Sequence, residues 1–207
     1  MAVEIIRCEQ NTEEWLEARR GIPTASNFAK VLAKGEGKVR RSYMLELAGE
    51  IITERPNEGY SNDHMKRGHE MEPAARGQYA FERRVSPELV GFIRNGPKGS
   101  SPDSLIGNDG ILEIKTKIPA LHIECMMRDT FPPEHRAQCQ GHLWVAEREW
   151  VDLAVYWPGL PLVVHRAYRD EDYISTLAAE VDRFNAELAE IVERVRRYGT
   201  PAGEMAA

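Results

Sequence analysis

The chain lacks the features that mark secreted, membrane-bound or fibrous proteins. Only three of its 207 residues are cysteine (Cys8, Cys125 and Cys139). They cannot all pair and their spacing suggests no disulfide framework, which predicts a reducing compartment. The longest unbroken apolar run is five residues, Leu153 to Trp157, against the ~20 that cross a bilayer. Residues 1–14 carry Glu4, Arg7 and Glu9 and no apolar stretch, so no secretory leader is expected. Charged residues at 29% and hydrophobic ones at 42% exclude a collagenous or low-complexity chain. What remains is a globular, cytoplasmic protein, long enough to bury a core without metal or disulfide staples. One domain over residues 1–207 with long excursions is expected rather than two.

A basic surplus is missing too. The net charge is −6, from 27 basic and 33 acidic side chains, which at first argues against a nucleic-acid partner. Residues 171–193, however, hold seven of the acids and a single base, leaving 26 of each sign elsewhere. Basic runs stand at Lys38-Val39-Arg40-Arg41, Lys66-Arg67 and Arg83-Arg84. Net charge therefore leaves phosphate binding open.

Periodicity orders the chain as helices, strands, helix, strands, helix, an α/β or α+β layered domain. Thr12 followed by Glu13-Glu14 reads as a capped helix running to Arg19, and Thr24 or Ser26 as the cap of a second short helix. Gly35-Glu36-Gly37 reads as a flexible link. Helical spacing covers 41–53 and 65–84, with a loop between them and an interruption expected at Pro73. Strands are expected at 89–95, 101–106 and 111–117, the last two joined by the Gly107-Asn108-Asp109-Gly110 turn. A helix at 134–146, a strand pair at 150–157 and 162–168, and a long amphipathic helix at 172–197 follow. The tail from about residue 200 is expected to fray.

The chemistry concentrates in Ser101-Pro102-Asp103 and Leu112-Glu113-Ile114-Lys115. Strand side chains alternate faces, so Glu113 and Lys115 point one way and Leu112 and Ile114 the other. The turn at 107–110 folds the strand that carries Asp103 back beside them. Two carboxylates in one place repel unless a cation lies between them, and carboxylate oxygen suits a hard divalent ion such as Mg²⁺. An adjacent lysine can position water and balance developing charge, the parts that metal-assisted phosphodiester hydrolysis needs. A solvated hairpin with an exposed Glu–Lys pair is the plain alternative.

Pro102-Asp103 with Glu113-Ile114-Lys115 resembles the PD-(D/E)XK nuclease pattern, and the wider sequence resembles one branch of it. That branch is the phage lambda exonuclease, or YqaJ-like viral recombinase, family of alkaline exonucleases. Its Trp-x-x-x-Arg-x-Gly-x-x-Thr-Ala-Ser element stands here as Trp15, Arg19, Gly21, Thr24, Ala25 and Ser26. Its Gly-x-x-x-Glu-x-x-Ala-Arg helix is Gly68, Glu72, Ala75 and Arg76. Ser101 to Leu105, Leu112 to Lys115, and Ala137-Gln138 with Gln140, Trp144 and Val145 complete the order. Ser104, Thr116-Lys117 and Gly141 depart from the family's commoner residues.

The resemblance implies a restriction-endonuclease-like core, a mixed central sheet flanked by helices. It implies that Asp103, Glu113 and the Ile114 carbonyl hold Mg²⁺, with Mn²⁺ able to substitute. Lys115 would act on the attacking water, Glu72 and Gln138 would line the acidic pocket, and Arg19 with Ser26 would hold a 5′-phosphate. It further implies 5′ to 3′ degradation of duplex DNA ends to mononucleotides, a ring-shaped homotrimer, a single-strand annealing partner, and a phage or prophage origin in a bacterial host. Taken as residues alone, Arg19 also fits a surface arginine covering Trp15. Glu72 fits an i,i+4 pair with Arg76, Ser26 a plain cap, and Gln138 a polar helix residue. The run His122-x-x-Cys125 with His135, Cys139 and His142 has zinc-like spacing, the last three on one face of the predicted helix. Against it, His122 and Cys125 lie beyond Pro119 in sequence that reads as irregular, Pro132-Pro133 separates the halves, and three scattered cysteines cannot hold an iron–sulfur cluster. A non-catalytic DNA-end or recombination-partner binding module and a site-specific endonuclease on the same scaffold are the functional alternatives.

Overall fold

The computed structural model describes residues 2–33, 37–57 and 63–198. The expected link at 35–37 and loop at 57–63 fall partly outside these residues, and the tail from about 200 wholly so. Eight strands and seven helices are present among the described residues. In chain order they are β1 (Glu4–Ile6), α1 (Glu13–Arg19), α2 (Phe28–Val31), α3 (Lys38–Thr53) and α4 (Asp63–Arg83). Then come β2 (Pro87–Glu88), β3 (Phe92–Arg94), β4 (Gly99–Ser100), β5 (Ser104–Ile106) and β6 (Gly110–Thr116). The last are α5 (Pro119–Arg128), α6 (Arg136–Ala146), β7 (Trp150–Tyr156), β8 (Val163–Tyr168) and α7 (Glu171–Arg196).

The strands make a mixed five-stranded sheet in the order β2-β5-β6-β7-β8 and a small sheet in the order β1-β3-β4. In the larger sheet β5 and β6 form the expected antiparallel hairpin, with Ser104 opposite Leu112 and Ile106 opposite Gly110. β6 then pairs in parallel with β7 along its whole length, Gly110 opposite Trp150 through Thr116 opposite Tyr156. A parallel pair needs a crossover, and α5 and α6 supply it. Central and covered on both faces, β6 buries Ile111, Leu112, Glu113 and Ile114 in succession. Ile111 joins one core with Leu143, Leu153, Leu177 and Phe184, on the side of α3, α6 and α7. Leu112 and Ile114 join another with Ala75 and Tyr79 of α4. The alternation read from sequence is thus the partition between the two layers.

Three expectations are corrected. Pro73 does not interrupt α4, which runs through it; Pro73 and His69 both face solvent, so water can satisfy the carbonyl that loses its partner. The irregular segment expected beyond Pro119 is helix α5, with Pro119 in its first turn, where a missing N–H costs nothing. The single strands expected at 89–95 and 101–106 are each cut short, leaving β3 and β5, because the chain there passes between the two sheets.

The buried stripe of α7 is Ile174, Leu177, Val181, Phe184, Leu188 and Val192. Val195, near the end of the helix, is exposed. Glu187 on its acidic side takes a two-pronged ion pair from Arg40 of α3 at 2.5 and 3.0 Å. Gly141 shows why one departure from the family pattern is tolerated: a Cβ there would lie 2.4 Å from the ring of Phe28, which is fully buried. Close approach of α6 to that ring therefore requires glycine. Gly141→Ala is expected to lower unfolding free energy by ~1–3 kcal/mol through overpacking, read by denaturant titration; unchanged stability would show that α6 has room to move.

Candidate active site

The hairpin and the parallel pair put the acidic residues at the far end of β6. Asp103 immediately precedes β5, and its Oδ2 accepts a hydrogen bond from the Ile114 amide at 2.5 Å. Glu113, only 3% exposed, turns toward α6. Its Oε1 accepts from Lys115 Nζ at 2.7 Å and from Gln138 Nε2 at 2.6 Å. Its Oε2 lies 3.0 Å from His142 Nε2. Asp103, Glu113, Ile114, Lys115 and Glu72 all line one cleft of about 950 Å³.

Glu72 reaches that cleft from α4, where Gly68 lets the helix pass close to Thr116 of β6; a Cβ there would sit 3.2 Å from the Thr116 hydroxyl. The i,i+4 pair expected from sequence is present, Arg76 Nη2 donating to Glu72 Oε1 at 3.0 Å. Arg76 also donates from Nε to Ser104 Oγ at 2.9 Å, which gives the departure at Ser104 a task in tying α4 to β5. Lys117, where the family more often has proline, donates its amide to the Tyr156 carbonyl at 3.3 Å, a bond proline cannot make.

Electrostatics separates the two acids. Burial alone would raise the Glu113 carboxyl, but Lys115 and His142 outweigh it and hold it down to about 2. Asp103 goes the other way: burial first, then the charges of Glu113 and Glu72, push it well above the usual carboxylate range. Burial would likewise discharge Lys115, yet Glu113 and Asp103 keep it an ammonium. One acid is firmly ionised and the other resists ionisation, the behaviour of like charges crowded without a counter-ion.

These groups fit a divalent cation by their chemistry. Two carboxylates and a main-chain carbonyl are hard oxygen donors, and all three residues line the one cleft. Among the described residues no three His, Cys, Asp or Glu side chains form a metal cage. An ion here would keep part of its water shell, as Mg²⁺ does.

Arg19, which closes α1, lines the same cleft. Its guanidinium stacks 4.1 Å from the centre of the Trp15 ring, and Nη2 approaches Thr24 Oγ1 at 3.5 Å. Thr24 Oγ1 is 3.2 Å from Ser26 Oγ. Arg19 thus covers Trp15, as the plainer reading expected, and also lines the cleft. Ser26 is not a helix cap, since it lies inside a 3-10 turn, Ala25–Asn27, that leads into the four-residue α2. No helix terminus of useful length stands behind Arg19; hydroxyls and the guanidinium make that part of the cleft polar.

The zinc-like run is dispersed. His122 Nε2 is 2.9 Å from the Pro161 carbonyl, while His142 sits between Ser100 and Glu113. Sequence reasoning missed His142 as a neighbour of Glu113, because it placed the residue on a helix face with His135 and Cys139 and had no means of seeing β4 and β6 opposite.

Residues 14–149 match the model of the YqaJ-like viral recombinase domain. The alkaline exonuclease LHK-Exo from Laribacter hongkongensis is 34% identical, with a TM-score of 0.82 over 90% of this chain and 97% of that one. The chain belongs to the YqaJ-like viral recombinase family. LHK-Exo in complex with dAMP superposes with a TM-score of 0.83 at 35% identity, again over 90% of this chain and 97% of that one. A phage-related exonuclease from Haemophilus somnus 129PT shares the fold, with a TM-score of 0.65 at 12% identity over 84% and 96% of the two chains. No curated protein matches. The YqaJ-like fold confirms the mixed sheet flanked by helices expected from the resemblance.

The raised Asp103 carboxyl yields a stability prediction. A carboxyl whose folded pKa lies above its unfolded value stabilises the fold at low pH and loses that contribution as pH rises through the folded value. At neutral pH Asp103 is thus a net cost in the metal-free protein. Asp103→Asn should raise the melting temperature of the EDTA-treated protein at pH 7–8 and flatten its decline with pH. A lower melting temperature would contradict the assignment.

Proposed function

We propose that this exonuclease is a Mg²⁺-dependent enzyme that degrades duplex DNA from a 5′ end, releasing 5′-mononucleotides and leaving a 3′ single strand. The observation that carries the reading is a single cleft lined by Asp103, Glu113 and Lys115 and also by Arg19. Asp103, Glu113 and the Ile114 carbonyl would hold the ion, which Mn²⁺ could replace. When bound, the ion supplies Lewis-acid polarisation of the scissile phosphate.

The residues do the rest. Lys115, held as an ammonium, orients the attacking water and offsets negative charge as it develops. Gln138 and Glu72 fix the walls around Glu113 and Asp103. Arg19, with Thr24 and Ser26 beside it, takes the terminal 5′-phosphate, a task suited to a planar guanidinium. Water adds to phosphorus, the P–O3′ bond breaks, and the departing O3′ takes a proton. The terminal nucleotide leaves with its 5′-phosphate, and the shortened strand keeps a new one. That product class accords with the dAMP bound by LHK-Exo.

Under this reading the setting is phage-type recombination in the cytoplasm of a bacterial host, with a single-strand annealing protein receiving the 3′ tail; the match to the YqaJ-like viral recombinase domain supports it. A homotrimeric ring around DNA would let a chain of net charge −6 stay on its substrate by topology, with little need of overall attraction. Among the described residues no helix is long and apolar enough to cross a membrane.

Linear duplex incubated with Mg²⁺ should yield acid-soluble nucleotides, and EDTA should abolish the release. Glu113→Ala and Lys115→Ala should each lower the rate by about 10²-fold or more; release that survives either change would reject the site. Covalently closed circles should stay intact, and their cleavage would instead indicate an endonuclease. Arg19→Ala should erase the preference for 5′-phosphorylated over 5′-hydroxyl ends. Equal losses on both ends would contradict phosphate binding by Arg19.

A further inference from the structure

The two oxygens of Glu113 have different surroundings. Oε1 meets Lys115 and Gln138 at 2.7 and 2.6 Å, and Lys115 lines the cleft. Oε2 faces inward, 3.0 Å from His142 Nε2. Among the described residues neither Oε2 nor His142 Nε2 makes an aligned hydrogen bond, and their 3.0 Å approach is a close polar contact between two otherwise unsatisfied buried atoms. His142 is fully buried on α6, and its Nδ1 lies 2.6 Å from Oγ of Ser100, itself fully buried on β4.

These contacts fix the imidazole's hydrogen. A carboxylate can only accept, so the nitrogen facing Glu113 must carry the N–H. The rotatable Ser100 hydroxyl can serve Nδ1 either as donor or as acceptor, so it holds the ring in both protonation states. The chain Ser100 to His142 to Glu113 crosses from the small sheet through α6 to the central strand, wholly out of water. Nothing in it touches the cleft except through Glu113.

We infer that His142, locked by Ser100, is a positioning residue that holds Oε2 of Glu113 and so leaves Oε1 as the oxygen offered to the cation. The inference rests on Glu113 being a metal ligand, as proposed above. Groups that orient a ligating carboxylate from behind typically set metal affinity or activity by about 10–100-fold. Their loss lets the carboxylate swing without removing it.

The test is Mn²⁺ binding by calorimetry to the wild type, Glu113→Ala, His142→Met, His142→Gln and Ser100→Ala. Mn²⁺ titrations of nuclease rate on phosphorylated linear duplex run beside it. His142→Met should weaken Mn²⁺ binding by about 10-fold or more. The concentration for half-maximal rate should rise in step, with KM for DNA ends unchanged. His142→Gln, whose amide nitrogen can stand where Nε2 stood, should recover most of the affinity. Ser100→Ala should show a smaller loss of the same kind, and it decides the matter should His142→Met fail to fold. Wild-type Mn²⁺ affinity in a folded His142→Met, or in Ser100→Ala, would overturn the inference. Wild-type affinity in Glu113→Ala would instead overturn the reading of the site on which it stands.

Discussion

A carboxylate taken out of water keeps its charge only where cations or N–H groups surround it, and the rest of this structure is arranged around one such group. Glu113 lies in a central strand paired on both sides, and its neighbours come from that strand and from α6. Lys115 is two residues along the same strand, Gln138 comes from α6 at 2.6 Å, and His142 lies a helical turn beyond Gln138, 3.0 Å away. The sheet, the crossover and the packing of α6 on Phe28 all have to be correct for the three to converge. A small displacement of α6 would separate Gln138 and His142 from the carboxylate together.

Asp103 balances this in the opposite sense. Glu113 is well provided with partners and fully ionised, whereas Asp103 is crowded by Glu113 and Glu72 and resists ionisation. Taken by themselves, the two acids are therefore electrostatically incomplete. Such incompleteness is common where stability has been given up for function, and a divalent cation between the two acids would remove it. Under the proposed reading, folding prepares a place for the ion and the ion completes the electrostatics.

Local sequence carried the short-range part of this picture well. Period-two alternation put Glu113 and Lys115 on one face of β6, the 107–110 turn brought Asp103 alongside, and the order of motifs pointed to the family. Interactions between distant segments were beyond it. His142 meets Ser100 across 42 residues of chain, so a reading confined to one helix face grouped it with Cys139 and His135 as a zinc-like run. Proline misled twice for one reason. It was taken as a breaker at Pro73 and before α5, yet at Pro73 the lost bond faces water and at Pro119 it falls in a first turn where none is needed. Gln138 read as a plain polar residue because only the fold shows what its amide meets.

The central claim is that a divalent cation is held where Asp103, Glu113 and the Ile114 carbonyl meet. Anomalous diffraction from a crystal soaked in Mn²⁺ tests it most directly. The account predicts a peak within bonding distance of one oxygen from each of those three residues, with the Lys115 ammonium beside its water shell. A Mn²⁺ peak bound elsewhere, with those three groups still joined only to protein, would contradict it.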